Sequence, residues 1–188
     1  MYPNQRNRRL RQSPALRQLV CENQLTCNDL MLPLFIAEGN EVKDPIAAMP
    51  GCYRLSLDLL RNELKAIADL GIKAVLLFVK VDDALKDNKG TEAVNPEGLM
   101  QKAIRTVKSI TPEMVVMTDV ALDPYSSYGH DGIVEEGKIL NDPTVEVLSK
   151  MALSHALAGA DFVAPSDMMD GRVLRIRTVL DEAGLTET

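Results

Sequence analysis

Four short apolar runs punctuate the chain: MLPLFIA at 31–37, KAVLLFV at 73–79, EMVVMTDV at 113–120 and GADFVAP at 159–165. Each is nearly continuous rather than alternating, the pattern of a parallel strand covered on both faces. Between the runs the apolar positions switch to a helical period. Leu57, Leu60, Leu64 and Ile67 recur at intervals of three and four behind Ser56, a residue type suited to an N-cap. Leu99, Ala103, Ile104 and Val107 mark a second helix. A third is expected from Asp142-Pro143, read as cap and first-turn proline, to Gly159. The fourth follows Asp170-Gly171, with Asp170 as its cap, through Val173, Ile176 and Leu180 and stops near Gly184.

Strand and helix alternation predicts an α/β fold with right-handed crossovers. The strands begin near 31, 73, 114 and 160, at intervals of 42, 41 and 46 residues. Eight such units would need roughly 340 residues, within the range of an eight-unit barrel. This chain has four, so the pattern fits either a small doubly wound sheet or half of a barrel. Ala37-Glu38-Gly39 after the first strand lacks the spacing of a phosphate-binding glycine loop. Nucleotide binding loses its main support.

With 188 residues, 46% hydrophobic and 26% charged, the chain has the composition of one globular domain. No apolar run is long enough to span a membrane, and the polar, arginine-rich N-terminus does not read as a signal peptide. Cys21, Cys27 and Cys52 are odd in number and form no CxxC pair, which points to a reducing, cytoplasmic setting. Charge divides the chain more sharply than composition does. Arg6, Arg8, Arg9, Arg11 and Arg17 precede the first acid, Glu22. Without those five, 16 of the 21 basic residues face 27 acidic ones, a net charge of −11 from residue 21 onward. Residues 1–28 therefore read as a basic arm and residues 29–188 as an acidic body. Such an arm could bind nucleic acid or the acidic surface of another copy. Since the body has no basic patch interleaved with aromatics, self-association is the favoured reading.

Chemistry in parallel α/β folds gathers at the C-terminal ends of the strands. After the third strand, Asp119, Asp123, His130 and Asp131 occur within thirteen residues. Oxygen ligands and an imidazole on one loop suit a hard cation such as Mg²⁺. The competing explanation is that aspartates favour turns beside glycine and proline. Ser166 and Asp167 end the fourth strand, with Met168 and Met169 behind them as packing residues. Lys80 closes the second strand and is the lysine best placed for Schiff-base chemistry, against a plainer role as a solvated loop residue. His155 falls inside the third helix and reads as structural. The three cysteines read as inert thiols.

RRLRQSPALRQLV, LPLFIAEG, AMPG, KDNKGTEAVNPEGLMQKAIR, DVALDPYSSYGHDG and APSDMMDGRV follow one another through nearly the whole chain. In that order they closely resemble the porphobilinogen synthase, or 5-aminolevulinate dehydratase, family. The resemblance implies a (β/α)₈ barrel, of which this chain would supply the arm and the first four βα units. It also implies a homo-octamer whose arms wrap neighbouring subunits, and condensation of two 5-aminolevulinate molecules to porphobilinogen with loss of two waters. The family's two Schiff-base lysines lie on later strands, so the chain is expected to stop, at Thr188, before either. Lys80 does not inherit the role.

Zinc-dependent members of the family carry cysteines at the positions matching Ala121, Asp123 and Asp131, and this chain has none of them. A three-cysteine zinc site is therefore not expected. The resemblance implies instead the aspartate-containing group, associated with Mg²⁺ and sometimes K⁺, although His130 replaces that group's common glutamine. By the same resemblance Asp119, Ser166 and Asp167 form the catalytic wall, while Asp123, His130 and Asp131 hold the cation. Two nearby Schiff-base lysines would keep Asp119 ionised. Two other readings compete: a non-enzymatic oligomerisation fragment, and an aldolase-like enzyme using Lys80. A half-barrel is further expected to leave open edges at the first and fourth strands.

Overall fold

The computed structural model describes residues 4–188. The expected arm carries a 3₁₀ turn at Asn7–Arg11 and the short helix α1, Pro14–Leu19, with Ser13 accepting the Leu16 N–H at 3.1 Å. Neither element buries a residue. Residues 1–3 of the expected arm lie outside the described residues. A capping box between Thr26 and Asp29 then turns the chain toward the sheet.

The four expected strands form as β1 (Leu32–Ala37), β4 (Ala74–Lys80), β5 (Val115–Val120) and β8 (Phe162–Pro165). Two short strands that the hydrophobic pattern did not announce, β2 (Lys43–Pro45) and β3 (Tyr53–Leu55), complete a six-stranded sheet ordered β2-β3-β1-β4-β5-β8. All neighbours pair in parallel except β2 and β3. The expectation of an open edge at β1 is therefore corrected, because β3 pairs along it and β2 follows outside. The sheet ends instead at β2, whose Pro45 cannot donate to a further ladder, and at β8. A separate hairpin joins β6 (Ile133–Glu135) to β7 (Lys138–Leu140). Glu136 and Gly137 turn it at φ +48° and +73°, the left-handed pair that a two-residue hairpin loop requires.

β1, β4, β5 and β8 lie side by side in chain order. Helices α2 (Leu60–Asp69), α3 (Leu99–Ile110), α4 (Asn141–Ala158) and α5 (Arg172–Glu182) pack in succession, each against the next. Leu34, Ile36, Val75, Leu77, Val79, Val116 and Val120 face them and form the core with Leu60, Leu64, Ile104, Leu148 and Leu180. The alternate strand residues point the other way. Phe35, Phe78 and Met117 remain only partly buried there, and Phe162 is 52% exposed. Two-sided cover, expected from the continuous apolar runs, is thus corrected to one-sided cover. A doubly wound sheet carries helices on both faces, whereas here α2 to α5 cover one face, so that alternative falls away.

Three helix starts also differ from expectation. Ser56 does not cap α2; its buried hydroxyl accepts the Val42 N–H at 2.9 Å, and the helix begins at Leu60. Asp142 sits within the first turn of α4, which opens one residue earlier. Gly171, at φ +80°, rather than Asp170, occupies the N-cap of α5. The Asp170 N–H instead donates to Asn141 Oδ1 at 2.7 Å, joining the starts of α4 and α5. Ser56 and Asp170 bond distant partners instead, whereas the Asp142 carboxylate accepts from its neighbour Asn141 at 3.0 Å.

Candidate functional site

The parallel register sets Asp119 beside Ala164 near the C-terminal ends of β5 and β8. Alternation sends its neighbour Thr118 to the helical side, where Thr118 Oγ1 lies 3.0 Å from Nδ1 of buried His155. Asp119 consequently points to the uncovered side. The Ser166 hydroxyl, just beyond β8, donates to the Asp119 carboxylate. Asp119 is 8% exposed, and burial pushes its carboxyl above the usual carboxylate range. The Ser166 hydrogen bond opposes that rise, whereas Asp131 and Asp167 add to it through their charge. The expectation that cations hold Asp119 ionised thus depends on groups other than those this chain places around it.

Asp123 is also pushed upward, by desolvation first and then by Asp131 and Asp119. Its side chain reaches solvent, so water screens part of this effect. Asp167 is buried, with Oδ1 accepting the Met169 N–H at 2.7 Å and Oδ2 3.1 Å from Arg172 Nε. The Arg172 N–H is not aligned on that oxygen, so this contact is ionic rather than a hydrogen bond. Both Asp167 oxygens are therefore engaged with the start of α5. Its role is to carry charge beside Asp119 and to anchor that turn.

The expected cation ligands do not assemble. Asp123 and Asp131 lie within reach of one another, but His130 Nδ1 accepts the Gly132 N–H at 3.1 Å. Among the described residues no three His, Cys, Asp or Glu side chains gather as a metal-ligating group. As placed, Asp123, His130 and Asp131 are not gathered around one point, and the His130 imidazole closes its own turn. This donor set does not fit Mg²⁺ as placed.

His155 is structural, as expected. Full burial pushes it down to about 3, so it is neutral at physiological pH. Lys80, at the end of β4, is exposed, without the desolvation that activates a Schiff-base lysine. Cys21, Cys27 and Cys52 are free thiols, and Cys27 Sγ lies 3.2 Å from the Leu70 carbonyl.

Sequence reasoning missed the other half of this face. Arg54 on β3, Lys80 and Lys86 line a cavity of about 240 Å³ with Phe35, Phe78, Asp123 and Pro124. It also missed how the flanking loops are fixed. Asn88 accepts the Val134 N–H at 3.0 Å and donates to the Val134 carbonyl at 2.9 Å, tying the loop after β4 to the β6 hairpin. An asparagine within the run Asp87-Asn88-Lys89-Gly90 could have been flagged as loop-forming. Its partner 46 residues away could not.

A model of the family described as "Delta-aminolevulinic acid dehydratase" matches residues 4–188. This chain belongs to that family. The chloroplastic delta-aminolevulinic acid dehydratase of Selaginella martensii is 57% identical over 181 residues, covering 95% of this chain and 43% of that protein. The dehydratase of Bradyrhizobium diazoefficiens is 49% identical over 182 residues, covering 97% of this chain and 52% of that protein. The Toxoplasma gondii ME49 dehydratase, solved in complex with its reaction product porphobilinogen, superposes with a TM-score of 0.94 at 50% identity. That match covers 98% of this chain and 53% of the solved one. The chain spans about half the length of the dehydratases it matches. The resemblance carried by its six motifs is borne out.

Proposed function

We propose that this chain works as part of a 5-aminolevulinate dehydratase, which condenses two 5-aminolevulinate molecules to porphobilinogen, with loss of two waters, in tetrapyrrole and heme biosynthesis. The observation that carries this reading is the Asp119–Ser166 pair, a buried carboxyl bonded by an exposed hydroxyl, at the C-terminal edge of a sheet from this family. The fold proposed for the whole is a (β/α)₈ barrel with this chain as arm and first four βα units. Support comes from strands in chain order, helices on one side only, and an apolar opposite side suited to line a barrel interior.

Within that reaction Asp119 is the group with adjustable protonation. Burial and neighbouring acids bring its carboxyl toward neutrality, while the Ser166 hydroxyl favours the ionised form. A carboxyl so balanced can accept a proton from a substrate ammonium or carbon and return it to a departing water. Asp123, at the solvent lip, attracts the substrate amine. Asp167 fixes the turn that presents Ser166. The lysines that form Schiff bases belong, by resemblance, to the family's second half. Mg²⁺, or K⁺, is the cation proposed for the whole enzyme. The expected ligands do not converge, and no step is routed through it.

The basic arm is proposed to clamp a neighbouring copy in a homo-octamer, and a cytoplasmic setting is proposed from the three free cysteines. Among the described residues no helix is long and apolar enough to cross a membrane. The test is borohydride trapping with aminolevulinate, on residues 1–188 and on the protein extended to the length of its relatives. Labelling of the longer protein alone is the expected result. Labelling of Lys80 would favour an aldolase-like reading, and labelling of neither would favour an oligomerisation role.

A further inference from the structure

We propose that Asn88 is a positioning residue: from the loop after β4 it holds the loop after β5, and with it Asp131, in place beside Asp119 and Asp123. Its effect on turnover rests on the proposed dehydratase activity, whereas the clamp itself rests on hydrogen bonds. Two neighbouring residues make it. The Asp87 N–H donates to the Tyr125 carbonyl at 3.2 Å, and the Asp87 carbonyl accepts the Ser127 N–H at 3.1 Å, a parallel bridge opposite Ser126. Asn88 then takes both backbone groups of Val134, accepting its N–H at 3.0 Å and donating to its carbonyl at 2.9 Å. Residues 125–134 are thus fastened at both ends, with Asp131 between the fastenings.

Hairpin register explains why Val134 is available. Glu135 and Lys138 flank the two-residue turn as its hydrogen-bonded pair, so Val134 and Ile139 form the next, non-hydrogen-bonded pair. The N–H and C=O of Val134 therefore point away from β7, and an amide side chain, carrying both donor and acceptor, can meet the two together. The loops also fit closely elsewhere. Gly90 is buried at φ +62°, and a Cβ there would come within 2.8 Å of Leu122 Cδ2. Leu122 and Tyr125 are buried in turn, so the loop after β4 seats directly on the start of the loop after β5.

Between the fastenings the bonds are short-range. The Tyr128 and Gly129 N–H groups donate to Ser126, and the Gly132 N–H donates to His130. Such bonds shape the segment without fixing where it sits over the sheet. Its place matters because Asp131 acts through its charge on both Asp119 and Asp123. Asn88 acts through the loop, since its amide is engaged by Val134. A released loop samples positions in which the three carboxylates no longer face one substrate. Where only the held position binds, apparent affinity falls with the fraction of time spent there, while bound substrate turns over as before. A general loss of stability would instead lower the active fraction, and with it kcat, at unchanged KM.

The test compares wild type, Asn88→Ala and Asn88→Leu in the protein extended to the length of its relatives. Leucine keeps the reach of the side chain and removes its polar atoms. Both variants should raise KM for aminolevulinate about fivefold or more, with kcat within about twofold of wild type. Hydrogen exchange, which needs no turnover, should show the Val134 amide exchanging roughly tenfold faster in both. Unchanged KM or unchanged Val134 exchange in Asn88→Ala would overturn the clamp. Wild-type behaviour of Asn88→Leu, or a fall in kcat at constant KM, would overturn it too. Any of these results alongside porphobilinogen formation by wild type leaves the dehydratase reading standing. No porphobilinogen from wild type, with Val134 exchange faster in both variants, would sink that reading and leave the clamp in place.

Discussion

Replacing Asp119 by Asn separates what this carboxyl does for chemistry from what it costs the fold. The amide keeps an oxygen for the Ser166 hydroxyl but can neither ionise nor exchange a proton. Removing a positioned acid-base group slows a reaction by about 10²–10⁴-fold, or roughly 3–5 kcal/mol of barrier. Ser166→Ala removes one hydrogen bond to a charged group, worth about 1.5–3 kcal/mol, and should slow turnover roughly 10- to 150-fold. Stability should move the opposite way. Burial raises the folded-state pKa of Asp119, so the native protein binds this proton more tightly than the unfolded chain does. Its contribution is most favourable below the unfolded value of 3.8 and is lost as pH rises through the folded value. Asp119→Asn should therefore melt higher than wild type at pH 7, with the advantage shrinking as pH approaches 4. The assays are porphobilinogen formation by the protein extended to the length of its relatives, and thermal melts of that protein between pH 4 and 8. A variant within tenfold of wild-type turnover would refute the assigned role. One destabilised equally at every pH would refute the electrostatic account.

Acid should weaken the fold through His155, whose pKa falls from 6.5 to about 3 on burial. The unfolded chain takes up this proton first, costing about 2 kcal/mol at pH 5, and denaturant titration of His155→Gln at pH 7 and pH 5 should show that part of the acid sensitivity gone. Alanine at Arg8, Arg9 and Arg11 should shift the assembly to smaller species by sedimentation, and added salt should do the same to wild type; an unchanged oligomer in both experiments would exclude an electrostatic clamp. Zinc chelators should leave the extended protein's activity intact, since no thiolates occupy positions 121, 123 and 131; inhibition reversed only by zinc would contradict this.

The hydrophobic pattern alone located β1, β4, β5 and β8 and the bodies of α2 to α5, because a buried strand or helix face must be apolar wherever it packs. Six ordered motifs were enough to indicate the family. They also brought Asp119 and Ser166 into one candidate site, since both stand at strand ends that a parallel sheet gathers along one edge. Tertiary structure decided the rest. β2 and β3 are three residues each, too short for a periodic signal, and exist because β1 offers them an edge. Apolar residues on both sides of a strand do not say which side the helices cover; strand order and crossover hand do. Ser56, Asp142 and Asp170 have good capping chemistry, yet their places in the fold are set by Val42, the start of α4 and Asn141. His130 belongs to a plausible ligand run, but a backbone N–H two residues away claims its ring nitrogen. Arg54 and Lys80 are 26 positions apart and become neighbours only through β1, which pairs with both their strands. Composition and spacing fix what a residue can bond to, whereas the partner it bonds depends on which groups the folded chain brings within about 3 Å.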